Sequence, residues 1–223
     1  MPKVADKILS FYQSLHLDVR LPKGIEVMNP YQDESAFQLT RQFYQKYYSD
    51  QGTRRIILGI NPGRFGGGLT GIPFTDPILL ETQCGIANTL DKRAELSATF
   101  IYKMIEAYGG PDKFYTKFFV GAISPLGFTQ NGKNLNYYDS KELNTSVAPF
   151  VLSCMHTMLT FGIDRSVAYC LGEGKNFQYL QEINDEHRFF DSVVPLPHPR
   201  FIMQYKRKEL DRHIQQYVSS LSY

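Results

Sequence analysis

The chain has 223 residues, with 24 lysines and arginines against 22 aspartates and glutamates, which gives a formal net charge of +2. It contains no apolar run of the ~18 residues that a membrane helix needs, so no membrane span is expected. The three cysteines, Cys84, Cys154 and Cys170, are too few for the usual four-thiolate iron–sulfur site, and no His/Cys pair has zinc-ligand spacing. Neither a metal ion nor another cofactor is therefore expected.

The remaining bulk properties predict a small cytosolic protein. The length predicts one domain, residues 1–223. Residues 1–7 lack the apolar core of a signal peptide, and the odd, scattered cysteines indicate reduced core thiols. The mild net charge does not by itself indicate a nucleic-acid partner. Basic residues cluster at 200–208, and Arg54, Arg55 and Arg64 flank a Gly-rich stretch; these are either a phosphate-facing surface or ordinary solvated charges.

Helices and strands are predicted to alternate along the chain. Apolar spacing predicts helices over 3–16, 34–48, 76–108 with a break near 87–88, 139–159 with a kink at Pro149, 176–183 and 205–221. Apolar runs predict buried strands over 55–60, 118–123, 167–172 and 191–196, and a polar loop is predicted at 129–136. The alternation predicts a three-layer α/β/α fold around a central, mainly parallel four-stranded sheet.

The Gly-rich stretch from Gly59 to Phe74 follows the first predicted strand. It reads Gly-Ile-Asn-Pro-Gly-Arg-Phe-Gly-Gly-Gly-Leu-Thr-Gly-Ile-Pro-Phe. Glycines allow the backbone to approach a ligand closely, and the prolines stiffen the loop. Loops at the carboxyl ends of strands are where open α/β sheets build their sites. The stretch therefore predicts a binding site for a flat, polar group.

Three polar side chains follow three of the predicted strands. Asn61, Asn134 and His198 should converge at one edge if the sheet is parallel. Each has a simpler alternative: Asn61 as a helix cap or turn residue, Asn134 as an ordinary turn residue, and His198 as a rigid surface turn between prolines. Together they favour a site, because all three lie at the edge where ligands bind.

The chemistry of these groups suits a pyrimidine base. An amide offers a donor and an acceptor in one plane, which matches the O4/N3–H edge of uracil. Phe74 offers a face for base stacking, and a neutral imidazole can donate to an oxygen that gains negative charge. The loop itself has no carboxylate; Asp76 and Glu173 are nearby and are interpreted as structural or capping residues. The loop also lacks the Gly-Lys-Ser/Thr ending of a phosphate-binding P-loop.

The motifs resemble those of single-strand-selective monofunctional uracil-DNA glycosylases. Residues 59–74 closely resemble the family's first motif, with Asn-Pro-Gly-X-Phe-Gly and Thr-Gly-X-Pro-Phe at the family's spacing. Ser124-Pro125-Leu126 with 132–135 is similar to its Cys-Pro-Leu and Gly-Arg-Asn-Leu stretch, and residues 196–199 resemble its second motif, His-Pro-Ser-Pro-Arg. The three segments occur in the family's order, and the first 50 residues match nothing. The departures suggest a divergent bacterial branch.

The resemblance implies roles at matching positions. Asn61 would position the attacking water and His198 would stabilise the leaving uracil anion. The backbone of Pro62 and Gly63 would lie beside the water and the C5 position of the base. Phe74 would stack on the flipped base, and Asn134 would read the uracil edge. These assignments predict which residues carry catalysis and base recognition.

The resemblance also implies contacts with DNA outside the base pocket. Arg64 stands where proline is common and is a candidate phosphate contact, with Lys206 a further DNA-binding candidate. The segment after His198 is shorter than in the family, so the wedge that fills the hole left by the flipped base is sought among residues 200–203, with Arg200 and Phe201 foremost.

The function predicted from this resemblance is hydrolysis of the uracil N-glycosidic bond in DNA during base excision repair. The partner would be single- or double-stranded DNA containing uracil, with the protein acting as a monomer. Two alternatives are open: a non-catalytic nucleic-acid or nucleobase reader that retains the pocket, and a glycosylase acting on hypoxanthine, xanthine or 5-hydroxymethyluracil.

Overall fold

The computed structural model describes residues 2–222; Met1 and Tyr223, the two ends of the predicted domain, lie outside the described residues. The helices are α1 (Val4–Ser14), α2 (Glu34–Tyr47), α3 (Gly67–Thr70), α4 (Pro77–Thr82), α5 (Leu96–Tyr108), α6 (Pro111–Tyr115), α7 (Lys141–Leu159), α8 (Lys175–His187), α9 (Pro199–Tyr205) and α10 (Leu210–Leu221). The strands are β1 (Ile25–Met28), β2 (Arg54–Gly59), β3 (Phe118–Ala122), β4 (Gly127–Gln130), β5 (Lys133–Leu135), β6 (Ile163–Leu171) and β7 (Val193–Leu196).

The central sheet has four parallel strands in the order β3-β2-β6-β7. Leu58 of β2 pairs with Gly121 on one side and Cys170 on the other. Every residue of β3 is buried, as expected for a parallel strand covered on both faces. Helices flank the sheet, so the predicted three-layer α/β/α class and all four predicted strands are confirmed. All four carboxyl ends meet at one edge.

A second, three-stranded antiparallel sheet was not predicted. Its order is β1-β4-β5, and β4 and β5 form a hairpin across Asn131-Gly132. Both turn residues have positive φ, 51° for Asn131 and 68° for Gly132. A two-residue hairpin turn requires this conformation, and Asn-Gly is a pair that adopts it readily. The predicted polar loop at 129–136 is therefore wrong. These strands have only three or four residues each, so pairing with distant β1 is needed to define them.

Several helix predictions needed revision. The segment 76–108 forms two helices, α4 and α5, separated by an irregular stretch from 83 to 95 that is much wider than the predicted break. Asp76 caps α4 by accepting hydrogen bonds from the backbone N–H groups of Ile78 and Leu79, at 3.0 and 2.9 Å, which confirms its predicted capping role. Helix α9 begins directly at Pro199 and was not predicted, and α7 continues through Pro149.

The three cysteines and Arg54 are all buried in the fold. The three cysteines are buried and unpaired, as predicted for core thiols. Arg54, in contrast, is only 1% exposed and is held by the carboxylate of Asp50 and the carbonyl of Tyr115. It begins β2, at the end of the strand opposite to the Gly-rich loop. Arg54 is therefore neither part of a phosphate-facing surface nor a solvated charge, and both alternatives considered from the sequence are wrong for it.

Candidate active site

A cleft opens at the carboxyl edge of the central sheet. The predicted site residues that line it are Asn61, Pro62, Gly63, Phe74, Asn134, His198 and Arg200. They come from the loop after β2, from the small sheet and from the start of α9. The parallel sheet and the hairpin thus bring together residues that are up to 139 positions apart in the sequence.

Asn61 ties the Gly-rich loop to the hairpin strand β5. Its Nδ2 donates to the carbonyl of Leu135 at 3.1 Å, and its Oδ1 accepts from the backbone N–H of Tyr137 at 3.1 Å. The amide is therefore fixed in the plane of these two bonds. One lone pair of Oδ1 remains for a water molecule, since a carbonyl oxygen accepts two hydrogen bonds.

Phe74 forms a wall of the cleft in a constrained conformation. Its φ is 52°, in the left-handed region that a bulky residue rarely adopts. The ring lies over Gly59, where a Cβ would approach it to 2.7 Å, and only glycine permits this contact. The hydroxyl of Thr70 donates to the carbonyl of Thr75 at 2.7 Å and closes the turn around Phe74. Such strain at a cleft wall is typical of functional sites.

His198 is held as a neutral donor. It caps α9, and its Nδ1 accepts the backbone N–H of Arg200 at 3.1 Å. Burial, with a smaller effect of the Arg200 charge, lowers the pKa of His198 to about 4. The imidazole is therefore neutral near pH 7, and because Nδ1 accepts, the proton is on Nε2. The ring centroid lies 6.5 Å from that of Phe74, across the cleft.

Asn134 lies on β5 rather than in a loop. Its Oδ1 accepts the backbone N–H of Arg64 at 3.3 Å, which links the hairpin to the Gly-rich loop a second time. The Nδ2 group lies 3.6 Å from the position that a Cβ on Gly63 would take. The free amide protons of Asn134 can therefore donate to an exocyclic oxygen in the cleft.

Two arginines stack on one aromatic ring at the rim. The guanidinium of Arg64 lies 4.5 Å from the ring centroid of Phe65, and that of Arg93 lies 5.1 Å from it. Arg64 also donates to the carbonyl of Gly132. Arg64 remains exposed, so its position is compatible with the predicted phosphate contact.

The four predicted wedge residues differ in their exposure on helix α9. Ile202 and Met203 are buried in the core, whereas Arg200 is exposed and Phe201 is 47% exposed. Phe201 pairs with Tyr205, one turn later, at a centroid distance of 5.5 Å. The wedge candidates are thereby reduced to Arg200 and Phe201. Predicted DNA contact Lys206 is exposed, with its Nζ 3.5 Å from a carboxylate oxygen of Glu209.

Glu95 is a cleft residue that the sequence did not reveal. It lines the cleft together with Asn61 and His198, and its backbone N–H donates to the Oδ2 of Asp76 at 2.9 Å. Burial and the nearby Asp76 carboxylate raise the pKa of Glu95 to about 7, although Arg200 opposes the shift. Glu95 follows the segment Asp91-Lys92-Arg93-Ala94 and belongs to no motif, so only the tertiary structure places it here.

The sequence profile of the uracil DNA glycosylase superfamily matches residues 45–222. The chain belongs to the uracil-DNA glycosylase superfamily. The crystal structure of wild-type SMUG2 from Pedobacter heparinus is similar to this chain, at 44% identity and a TM-score of 0.96, over 99% of this chain and 97% of that one. This likeness confirms the single-strand-selective monofunctional type that the motifs predicted. No curated protein sequence shows significant similarity to this superfamily member.

The described part of the chain contains neither a cluster of metal-ligating side chains nor a membrane-spanning helix. Within residues 2–222, no three His, Cys, Asp or Glu side chains lie close enough together to share a metal ion. Over the same residues, no helix combines the length and apolar character needed to cross a bilayer. Glu173, interpreted from the sequence as structural, is exposed just before α8.

Proposed function

We propose that the protein is a monofunctional DNA glycosylase that hydrolyses the N-glycosidic bond of uracil in DNA and leaves an abasic site for base excision repair. Residues 1–223 would act as one domain and as a monomer. The observation that carries the proposal is the neutral, Nε2-protonated His198 facing the strained Phe74 across the cleft.

Base binding would begin with the target nucleotide flipped out of the base stack of the DNA. Extruding a base costs a few kcal/mol, least in single strands. Stacking on Phe74 is worth about 1–3 kcal/mol by analogy with other base–aromatic stacks and offsets this cost. Asn134, whose amide protons are free in the cleft, would donate to the O4 atom of uracil.

Bond cleavage would depend on stabilisation of the negative charge that develops on the leaving uracil. As the C1′–N1 bond breaks, the electron pair stays with uracil and the sugar becomes cationic. The Nε2–H of His198 would donate to the developing negative charge on O2. A preorganised donor of this kind contributes roughly 2.7–4 kcal/mol in acyl-transfer enzymes.

Water would then attack C1′, losing a proton as the sugar C–O bond forms, while uracil takes up one proton. Asn61 would orient this water through the remaining lone pair of Oδ1. An amide is a poor base, but capture of a cation depends on orientation more than on deprotonation. Among the described residues that line the cleft there is no lysine, so strand cleavage through a Schiff base is not expected.

Contacts with the DNA strand would come from the exposed residues around the cleft. Arg64 and Lys206 would contact phosphates, because both cations are exposed. Arg200 and Phe201 would occupy the space that the flipped base leaves.

The test is an oligonucleotide panel with uracil in single strands and in U·G and U·A duplexes, together with oligonucleotides that carry hypoxanthine, xanthine or 5-hydroxymethyluracil, followed by alkaline cleavage of abasic sites. Product from at least one uracil substrate is expected. The absence of product from all three uracil substrates would refute the proposal. Tight binding of uracil DNA without product would favour a non-catalytic reader, and product only from hypoxanthine, xanthine or 5-hydroxymethyluracil would indicate another base specificity.

A further inference from the structure

The carboxyl group of Glu95 fills the space beside the glycines of the Gly-rich loop. A Cβ on Gly66 would lie 1.8 Å from Oε2 of Glu95, and a Cβ on Gly63 would lie 2.9 Å from Oε1. Glu95 also lines an adjoining recess together with Asn61 and Phe74. A side chain from outside the loop therefore forms the wall that the glycines leave open.

The polar atoms of this wall are available to a ligand. Within residues 2–222, neither carboxyl oxygen of Glu95 has a hydrogen-bond partner, whereas the backbone N–H of Glu95 is held by Asp76. A partly buried carboxyl without a partner is costly, and a hydrogen-bond donor from a bound ligand would remove part of that cost.

The orientation of the base decides which of its atoms meet Glu95. This step rests on the proposed function. In the uracil ring, O2 and C5 lie at opposite corners. If O2 faces His198 and the O4 edge faces Asn134, the C5 corner points to Gly63 and to the Glu95 carboxyl beside it.

We propose that Glu95 is a specificity-determining residue that selects the C5 substituent of a pyrimidine base, accepting a hydrogen bond from a hydroxyl-bearing group and rejecting a methyl group. A methyl group would desolvate the carboxyl without giving it a donor. Sites built to form a hydrogen bond discriminate strongly against the analogue that lacks it. The loop glycines leave space for a C5 substituent, and Glu95 discriminates between a hydroxyl-bearing group and a methyl group.

The experiment compares two substrates that differ by one oxygen atom. Single-stranded oligonucleotides carry one 5-hydroxymethyluracil or one thymine, and the ratio of their single-turnover rates is measured. We expect wild type to favour the hydroxymethyl substrate at least tenfold. Glu95→Met, which keeps the size but removes the acceptor, should reduce this ratio at least tenfold, whereas Glu95→Gln should largely retain it. The ratio cancels any general loss of rate in the variants.

Controls separate this inference from the proposed function. Glu106→Ala alters an exposed glutamate on α5, the helix that begins directly after Glu95, and should leave the ratio at the wild-type value. Binding of oligonucleotides with non-hydrolysable 2′-fluoro analogues of both nucleotides gives a Kd ratio that does not depend on turnover. If the protein releases no base, the proposed function fails while the Kd ratio still tests Glu95. An unchanged ratio in Glu95→Met would overturn the inference alone.

Discussion

The backbone N–H of Arg200 donates to Nδ1 of His198 at 3.1 Å. This single bond joins the first turn of α9 to the chemistry of the cleft, because it leaves the imidazole proton on Nε2. The helix cap and the proposed donor to the leaving anion are thus the same side chain. The short segment after His198 is helical from Pro199 onward, so the position of the imidazole is set by the backbone of α9.

Replacement of His198 tests the donor. His198→Ala should lower the single-turnover rate of uracil release by about 10²–10³-fold, the usual loss for one preorganised donor. Because the pKa of His198 lies at about 4, this loss should be constant from pH 6 to 8. The surface variant His16→Ala is the matched control. A loss that grows as the pH falls from 8 to 6 would indicate a protonated imidazole and contradict the prediction.

The two cleft asparagines should differ in their effect on stability. Asn61→Ala leaves the Leu135 carbonyl and the Tyr137 N–H without their partner, so the free energy of unfolding should fall by roughly 1–3 kcal/mol. Asn134 is exposed, and Asn134→Ala should change that free energy by no more than about 0.5 kcal/mol while still reducing uracil release. Urea unfolding and single-turnover assays measure both. Equal stability losses would refute the distinction.

A side chain at Gly66 should collide with Glu95. The Cβ in Gly66→Ala would lie 1.8 Å from Oε2 of Glu95, so either the loop or the glutamate must move, and urea unfolding should show destabilisation by roughly 1–3 kcal/mol. In the Gly66→Ala/Glu95→Ala double variant the collision is absent, so the two effects should not add. Additive losses in the double-mutant cycle would show that the two residues are not in contact.

The stability of wild type relative to Glu95→Gln should depend on pH. The pKa of Glu95 is raised from 4.5 to about 7, so the folded state binds the proton more tightly than the unfolded state. The stabilisation from this proton is complete below pH 4.5 and is lost as the pH rises through 7. Between pH 5 and 8, wild type should lose up to roughly 3 kcal/mol relative to the glutamine variant in urea unfolding. Parallel stability curves for the two proteins would contradict this.

The exposed side chains of α9 should matter more for duplex than for single-stranded DNA. A flipped base leaves a gap only in a duplex, and Arg200 and Phe201 are the accessible candidates to fill it. Arg200→Ala and Phe201→Ala should each lower the rate on U·A duplexes at least fivefold more than on single strands. Lys117→Ala removes an exposed cation at the opposite edge of the sheet and serves as control. Equal losses on both substrates would argue against a wedge.

The sequence alone predicted the parts of the protein that have strong local signals. The four central strands are continuous apolar runs because both faces of a parallel sheet are buried. Once the sheet is parallel, its carboxyl ends must share an edge, and this brought Asn61 and His198 together. The motif from Gly59 to Phe74 identified the superfamily because its residues are contiguous.

Only the tertiary structure decided the features that depend on distant partners. Strands β1, β4 and β5 are too short to be stable without one another, and β1 lies about 100 positions before β4. Glu95 enters the cleft because Asp76 anchors its backbone, with no motif to mark it. Burial makes Arg54 a core residue and gives His198 its neutral state. A one-dimensional pattern records which residues are apolar, but the environment of a polar side chain depends on which segments pack around it.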